Sequence, residues 1–237
     1  MGANRLVLWD IDHTLIETGG VGREVFAAAF HAVTGTPMVR MTTAAGKTEL
    51  AFFRETLELH GLSPARFSFA RFARLMACGY HERSHDLLAC GRVLPGAVGA
   101  LRALARVPGI AQSVLTGNAR PTTEAKLKIF GLDRHVDLDI GAYGDDDAVR
   151  AALVPIAQRR AGRKLGQAFS RDSTLLIGDT PADVIAGRDG GARVIAVASG
   201  ESGLADLKEA GADVVLRDLT DTGALLDAIH TLLPTSA

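Results

Sequence analysis

The sequence predicts an α/β protein, a doubly wound parallel sheet of Rossmann-like type with a small α-helical cap inserted near its start. A run without polar residues, Leu6–Trp9, opens the chain as a fully buried strand would. Residues 19–90 carry helical spacing and no convincing strand, and from Gly91 onward short apolar runs alternate with helical segments. Such alternation implies right-handed crossover units on a parallel sheet, which the first strand must join from across the insert. The expected division is therefore a core of residues 1–18 and 91–237 and a cap of residues 19–90.

The totals fit this size of fold. The chain has 237 residues, 47% of them apolar and 22% charged, with a formal net charge of -1. That balance supplies no basic field for nucleic acid. No apolar run approaches the roughly 20 residues that span a bilayer, and no signal-peptide pattern precedes the first strand. A cytoplasmic protein, monomeric or homodimeric, is expected. Cys78 and Cys90 have no metal-ligand spacing and read as free thiols.

Taken in order, Val21–Val33 has helical periodicity, with Gly19 and Gly20 before it suggesting a hinge. Glu49 to about Leu88 is helical throughout, with Leu50, Phe53 and Leu57 forming one stripe and Phe67, Ala70, Arg71 and Leu75 lying in another segment after a break at Ser63–Pro64. This region also holds most of the aromatic residues. Leu94–Pro95–Gly96 opens a helix to Leu104. Strands are then expected at Ser113–Thr116, Val136–Ile140, Thr174–Gly178, Val194–Ala198 and Val214–Leu216. The helices between and after them are Thr122–Phe130, Asp147–Ala161, Ala182–Arg188, Leu204–Ala210 and Asp221–Leu233.

Chemistry collects where these strands end. Asp10 and Asp12 follow the first strand two residues apart, so an extended chain points both carboxylates to one side. Carboxylates that close repel unless a cation lies between them or one holds a proton, which suits a hard metal such as Mg²⁺, an acid/base pair, or both. The strand before Thr116–Gly117–Asn118 offers a hydroxyl and backbone N–H groups to phosphate oxygens, with Gly117 permitting close approach. Lys126 lies in the next helix, and Lys128 is its outward-pointing control. Leu175–Gly178 ends in Asp179, with Pro181 fitting the first helical position and Asp183 one turn later.

Two familiar patterns do not hold. Gly46–Lys47–Thr48 is no nucleotide-binding loop, because Met41 stands where a glycine is required and no buried strand leads in. His81 and His85 have the His-Glu-x-x-His spacing of a zinc helix, but no third ligand is marked, and a polar face of the cap's last helix accounts for them. His13 receives no chemical role.

Asp10–Ile11–Asp12–His13–Thr14, Leu115–Thr116–Gly117–Asn118, Lys126, and Gly178–Asp179–Thr180–Pro181–Ala182–Asp183 together resemble the four ordered motifs of the haloacid dehalogenase superfamily. Within it the chain resembles the capped phosphatases typified by phosphoglycolate phosphatase. The resemblance implies a small phosphorylated metabolite as substrate, Asp10 as nucleophile forming an aspartyl-phosphate, and Asp12 as acid and then base. It implies Mg²⁺ held by Asp10, the Asp12 backbone carbonyl and Asp179, with Asp183 as ligand or neighbour, and phosphoryl oxygens bound by Thr116, Gly117, Asn118 and Lys126. The second acid, Asp12, separates this pattern from the dehalogenase and phosphonate-cleaving branches. The loop at Gly46–Lys47–Thr48 is similar to one where a basic residue faces the site, so Lys47, with Arg23 and Arg54, is a candidate for substrate choice. The alternatives are a phosphomutase using the same aspartyl-phosphate, and a non-catalytic phospho-acceptor module.

Overall fold

The structure is a computed structural model, and it describes residues 4–234. Its centre is β1 (Arg5–Trp9), buried at every position. It pairs in parallel with β4 (Ile110–Val114) on one side and β5 (Thr174–Gly178) on the other. β6 (Arg193–Val197) and β7 (Val214–Leu216) continue the sheet, giving the order β4-β1-β5-β6-β7. Alternate residues of β1 feed opposite layers, as the period of a strand requires. Val7 and Trp9 pack with α5 (Ala97–Leu104) and α10 (Thr222–Leu232), whereas Leu6 and Leu8 pack with α7 (Leu153–Leu165) and Ala186 of α8 (Pro181–Gly190). The sheet is thus covered on both faces. The Trp9 indole donates to Gln112 Oε1 at 3.1 Å and Gln112 donates to the Leu101 carbonyl at 3.1 Å, so this polar pair is satisfied inside the core.

Four helices stand between β2 (Ile16–Glu17) and β3 (Arg92–Val93): α1 (Val21–Thr34), α2 (Glu49–Leu59), α3 (Phe69–Glu82) and α4 (Ser84–Cys90). A 3₁₀ turn, Pro64–Arg66, separates α2 from α3, where Ser63–Pro64 predicts a break. β2 and β3 pair antiparallel, and Arg92 reaches Glu17 at 2.8 Å, so the two ends of the insert are tied together. The glycines at this neck serve close packing: a Cβ on Gly19 would fall 2.1 Å from the Cys90 carbonyl oxygen, at a φ of +59°. The insert packs a cluster of its own around Phe26, Phe30, Phe53 and Phe72. The Phe53 and Phe72 rings stack at 4.3 Å. In α3, capped by Ser68, the buried face is Phe72, Ala73, Met76 and Tyr80. Ala125 of α6 (Arg120–Ile129) completes this cluster, and Ile129 and Phe130 pack against it.

Three expectations need correction. Val136–Ile140 forms no strand, because Asp137 Oδ1 accepts from the Asp139 N–H and from Lys164, turning the chain away; only Ala142 bridges Leu115 beside β4. The helix expected from Asp147 begins at Leu153, after a 3₁₀ turn at Arg150–Ala152. Asp147 Oδ1 holds the Val149 N–H at 2.8 Å in a local turn, which competes with helix. His81 and His85 lie on either side of the junction between α3 and α4, so no single helix presents both; both are exposed.

Candidate active site

β1, β4 and β5 run parallel, so their C-terminal ends bring Asp10, Thr116 and Asp179 to one edge of the sheet, where ligands of open α/β sheets bind. After Asp10 the chain turns tightly: the Ile11 carbonyl accepts from Leu15 and Ile16 N–H groups, and His13 takes a left-handed φ of 61°. Ser199 Oγ donates to the His13 carbonyl at 2.6 Å, pinning that turn. Thr14 Oγ1 donates to Asp179 Oδ1 at 3.0 Å.

Two buried cations divide the acids between them. Lys126 Nζ lies 3.0 and 2.8 Å from the two oxygens of Asp12 and donates to Asn118 Oδ1 at 2.8 Å. Its ammonium also sits 5.0 Å from the Tyr80 ring centroid. Asn118 spends its amide donors on Asp12 Oδ2 at 2.7 Å and Thr116 Oγ1 at 2.9 Å. It therefore orients these two groups, and its side chain has no donor left for a phosphate. Thr116 Oγ1 accepts from Asn118 twice and keeps its own proton to donate. The loop is tight here, since a Cβ on Gly117 would fall 2.2 Å from the Lys47 carbonyl oxygen.

On the other side stands Arg150, which sequence reasoning missed. Its Nη2 lies 2.9 Å from Asp10 Oδ1, and its Nε and Nη2 lie 2.9 and 2.5 Å from Asp183 Oδ1. Asp183 Oδ2 accepts from the Thr180 N–H at 3.1 Å and the Thr180 hydroxyl at 2.7 Å, the capping box that starts α8 behind Pro181. Both oxygens of Asp183 are thus engaged by protein.

The charges are unevenly balanced. Burial pushes the Asp10 carboxyl up to about 7; Arg150 opposes the shift, while Asp183 and Asp12 add to it. Burial pushes Asp179 up to about 8, with Asp10 and Asp183 repelling its charged form. Asp12 goes the other way: burial is outweighed by Lys126 and the Asn118 bond, and its pKa falls. Burial resists the charge on Lys126 and Arg150 too, but the adjacent carboxylates win and hold both protonated.

Oxygens of Asp10, Asp179 and Asp183 all lie within 4.8 Å of one another. An all-oxygen set, in which burial and neighbouring carboxylates push Asp10 and Asp179 up, fits a hard divalent cation. With Asp183 saturated by Arg150 and Thr180, the oxygens of Asp10 and Asp179 are the ones left to such an ion, and Asp183 fixes Arg150.

Glu49, at the start of α2, also belongs to the site. Its N–H donates to the Gly117 carbonyl at 2.6 Å, and its Oε2 accepts from the Ala119 N–H at 3.0 Å and Thr122 Oγ1 at 3.1 Å. Burial pushes this carboxyl up to about 7, with Lys126 opposing. The cavity over these groups is about 610 Å³. Arg23 and Lys47 both line it; Arg23 is exposed and the Lys47 ammonium is paired with Glu55. Arg54 is exposed and lies outside the cavity lining. Lys128 points to solvent, as expected of the control. Among the described residues no helix is long and apolar enough to cross a membrane.

Known proteins are similar to this chain in sequence and in fold. The pyrophosphatase PpaX of Halalkalibacterium halodurans is 29% identical over 121 residues, 51% of this chain and 53% of that protein. A protein from Caldanaerobacter subterraneus subsp. tengcongensis, given the same name provisionally, is 26% identical over 195 residues, 81% of this chain and 80% of its own. The fold matches CbbY from Rhodobacter sphaeroides in complex with phosphate, at a TM-score of 0.68 and 23% identity, covering 96% of this chain and 100% of that one. It matches a hydrolase from Pseudomonas syringae at 0.67 and 23%, covering 95% and 99%. The family model for haloacid dehalogenase-like hydrolases matches residues 4–191, and with every strand-end acid in place the chain belongs to that family.

Proposed function

We propose that this protein is a Mg²⁺-dependent phosphatase that hydrolyses a small phosphate monoester through an aspartyl-phosphate on Asp10. The observation that carries the reading is the division of the acids: Asp10 faces Arg150 and Asp179, while Asp12, two residues on, is held by Lys126 and Asn118. This division supports a reading in which one carboxylate attacks and the other handles protons. Pyrophosphatase names among the relatives agree with phosphoryl chemistry in general.

The ester dianion enters among Thr116, Gly117, Lys126 and Arg150, which offset its charge. Asp10 then attacks phosphorus, and the leaving oxygen takes its proton from Asp12. In the resting state Lys126 holds Asp12 ionised, so the acid step requires the incoming dianion to draw the ammonium toward itself and let Asp12 take up a proton. After the alcohol leaves, Asp12 is again a base and removes a proton from the water that hydrolyses the acyl phosphate. Asp10 and Asp179, with the Asp12 backbone carbonyl, would hold Mg²⁺, which lowers the repulsion between Asp10 and the ester. The insert, residues 19–90, acts as the cap that closes the site against bulk water.

The test is phosphate release from a panel of monoesters and pyrophosphate, with Mg²⁺ and with chelator, using Asp10→Asn as the blank. Mg²⁺-dependent release lost in the variant is expected. Turnover that needs a sugar bisphosphate activator would replace this reading with a phosphomutase.

A further inference from the structure

Helix α6, which carries Lys126, starts without a side-chain cap of its own. The residue before it is Ala119, which is extended and has no side-chain oxygen to offer the first turn, and Pro121 brings no N–H. The open groups are met from elsewhere in the chain. Asp145 Oδ1 accepts from the Arg120 N–H at 2.8 Å, and Glu49 Oε2 accepts from the Ala119 N–H at 3.0 Å. The same Glu49 oxygen accepts from the Thr122 hydroxyl at 3.1 Å. In a capping box the third residue of a helix returns its side chain to the N–H of the residue before the helix. Thr122 stands at that third position, and Glu49, 70 residues before Ala119 and on the insert, takes over the task.

Glu49 reaches α6 from a fixed base. Its N–H donates to the Gly117 carbonyl at 2.6 Å. The preceding Thr48, buried, accepts from the Ala51 N–H at 3.2 Å, which caps α2, and donates to the Ala148 carbonyl at 3.1 Å. A negative charge at the N-terminus of a helix is favourable, and both contacts of the carboxylate fall at the first turn of α6. Thr122 and Lys126 are four residues apart and share one face of that helix, so the end that Glu49 grips lies one turn from the lysine. Lys126 in turn has to bring a single ammonium to both oxygens of Asp12, at 3.0 and 2.8 Å, and to Asn118 at 2.8 Å. Three contacts at such distances leave little room for the helix to shift.

We infer that Glu49 is a positioning residue: by capping α6 from the insert, it sets Lys126 against Asp12. Its carboxylate moves no proton of the reaction and acts through the helix. The effect on turnover rests on the phosphatase reading above; the cap itself does not. Burial already pushes the Glu49 carboxyl up to about 7, so a neutral amide of the same shape, with one oxygen to accept both hydrogen bonds, is a close replacement.

The experiment reads two quantities on the full chain: hydrogen exchange of the Ala119 amide without any ligand, and kcat with Mg²⁺ for the monoester turned over fastest in the panel above. Glu49→Ala should speed the exchange by about tenfold. It should lower kcat by about ten- to a hundredfold, the cost of a misplaced catalytic group. Glu49→Gln should bring both back to within about threefold of the unaltered protein. Thr122→Val removes one of the two bonds at nearly constant volume and should lower kcat by about threefold, which keeps the test open if Glu49→Ala does not fold. Glu58→Ala, exposed on the same helix as Glu49, should change neither quantity. In a Lys126→Ala background, Glu49→Ala should cost less than about twofold more in single turnover, because the group it positions is gone. Unchanged exchange at Ala119 overturns the cap. Glu49→Gln as damaging to kcat as Glu49→Ala, or full additivity with Lys126→Ala, overturns the positioning role and leaves the phosphatase standing. No turnover by the unaltered protein overturns the phosphatase reading and the positioning role with it, whatever the exchange shows.

Discussion

The Lys126 side and the Arg150 side of the site use the same device, a buried cation on a carboxylate, for different ends. Lys126 meets an acid whose side chain is 34% exposed, and its contacts are shared with a neutral amide. Arg150 meets Asp10 and Asp183, whose side chains are 9% and 0% exposed, and it faces a third acid, Asp179, that forms no ion pair among the described residues. The first arrangement can exchange a proton and recover. The second holds charge that has nowhere else to go, because a buried carboxylate left unpaired is costly.

The sharpest way to break this contrast is kinetic. Asp10→Asn should lower turnover by about 10⁴-fold or more, with the fold retained. Asp12→Asn should cost about 10²- to 10⁴-fold and slow both protonation of the leaving group and hydrolysis of the intermediate, seen in single-turnover measurements. If Asp12→Asn accumulated no intermediate and Asp10→Asn stayed active, the assignment of the two acids would be reversed.

Stability gives the next largest effect. Arg150→Met in chelator should destabilise the protein by about 3 kcal/mol in denaturant titration, because two buried carboxylates lose their partner. Lys126→Met should cost clearly less, since water can reach Asp12. Equal losses would show the two sides to be alike. In activity, Lys126→Ala should lose far more than Lys128→Ala, whose side chain is in solvent.

The dependence on pH is smaller and has a definite sign. Asp10, Asp179 and Glu49 are pushed up to about 7, 8 and 7, so the stability they allow is complete at low pH and is lost as pH rises through those values. Asp12 is shifted down, and its contribution is lost only on acidification below the carboxylate range. Metal-free protein should therefore melt at a lower temperature as pH rises from about 5 to about 9, and Mg²⁺ should flatten that slope by holding Asp10 and Asp179 ionised. Identical slopes with and without Mg²⁺ would remove those two acids from the ion's site.

Most of the core was legible because β1 and β5 carry unbroken apolar runs, Leu6–Trp9 and Leu175–Ile177, that lead to Asp10 and Asp179; β4 is less plain, since Gln112 and Ser113 interrupt it before Thr116. Lys126 was marked only by the family resemblance, because a lysine on a helix otherwise reads as solvated. Arg150 was not. It follows Asp145, Asp146 and Asp147 in a polar loop, and a 3₁₀ turn, held by contacts distant in sequence, carries it to Asp10. Glu49 was not singled out, since its partners Ala119 and Thr122, just before and within α6, lie far from it in sequence. Val136–Ile140 had the alternation of a strand, yet the carboxylates on its polar side found Lys164 and Arg120 and bent it away.

Three successive residues of α6 serve three masters. Ala125 packs into the insert's aromatic cluster, Lys126 reaches Asp12, and Leu127 packs into the cluster beneath the sheet. Helix α6 is thus the keystone through which a change in the insert's packing is felt at Lys126 and Asp12. Grafting another protein's residues 19–90 onto this core would leave foreign side chains against Ala125 and Ile129 and shift Lys126 with them. A workable exchange of the insert has to carry α6 along.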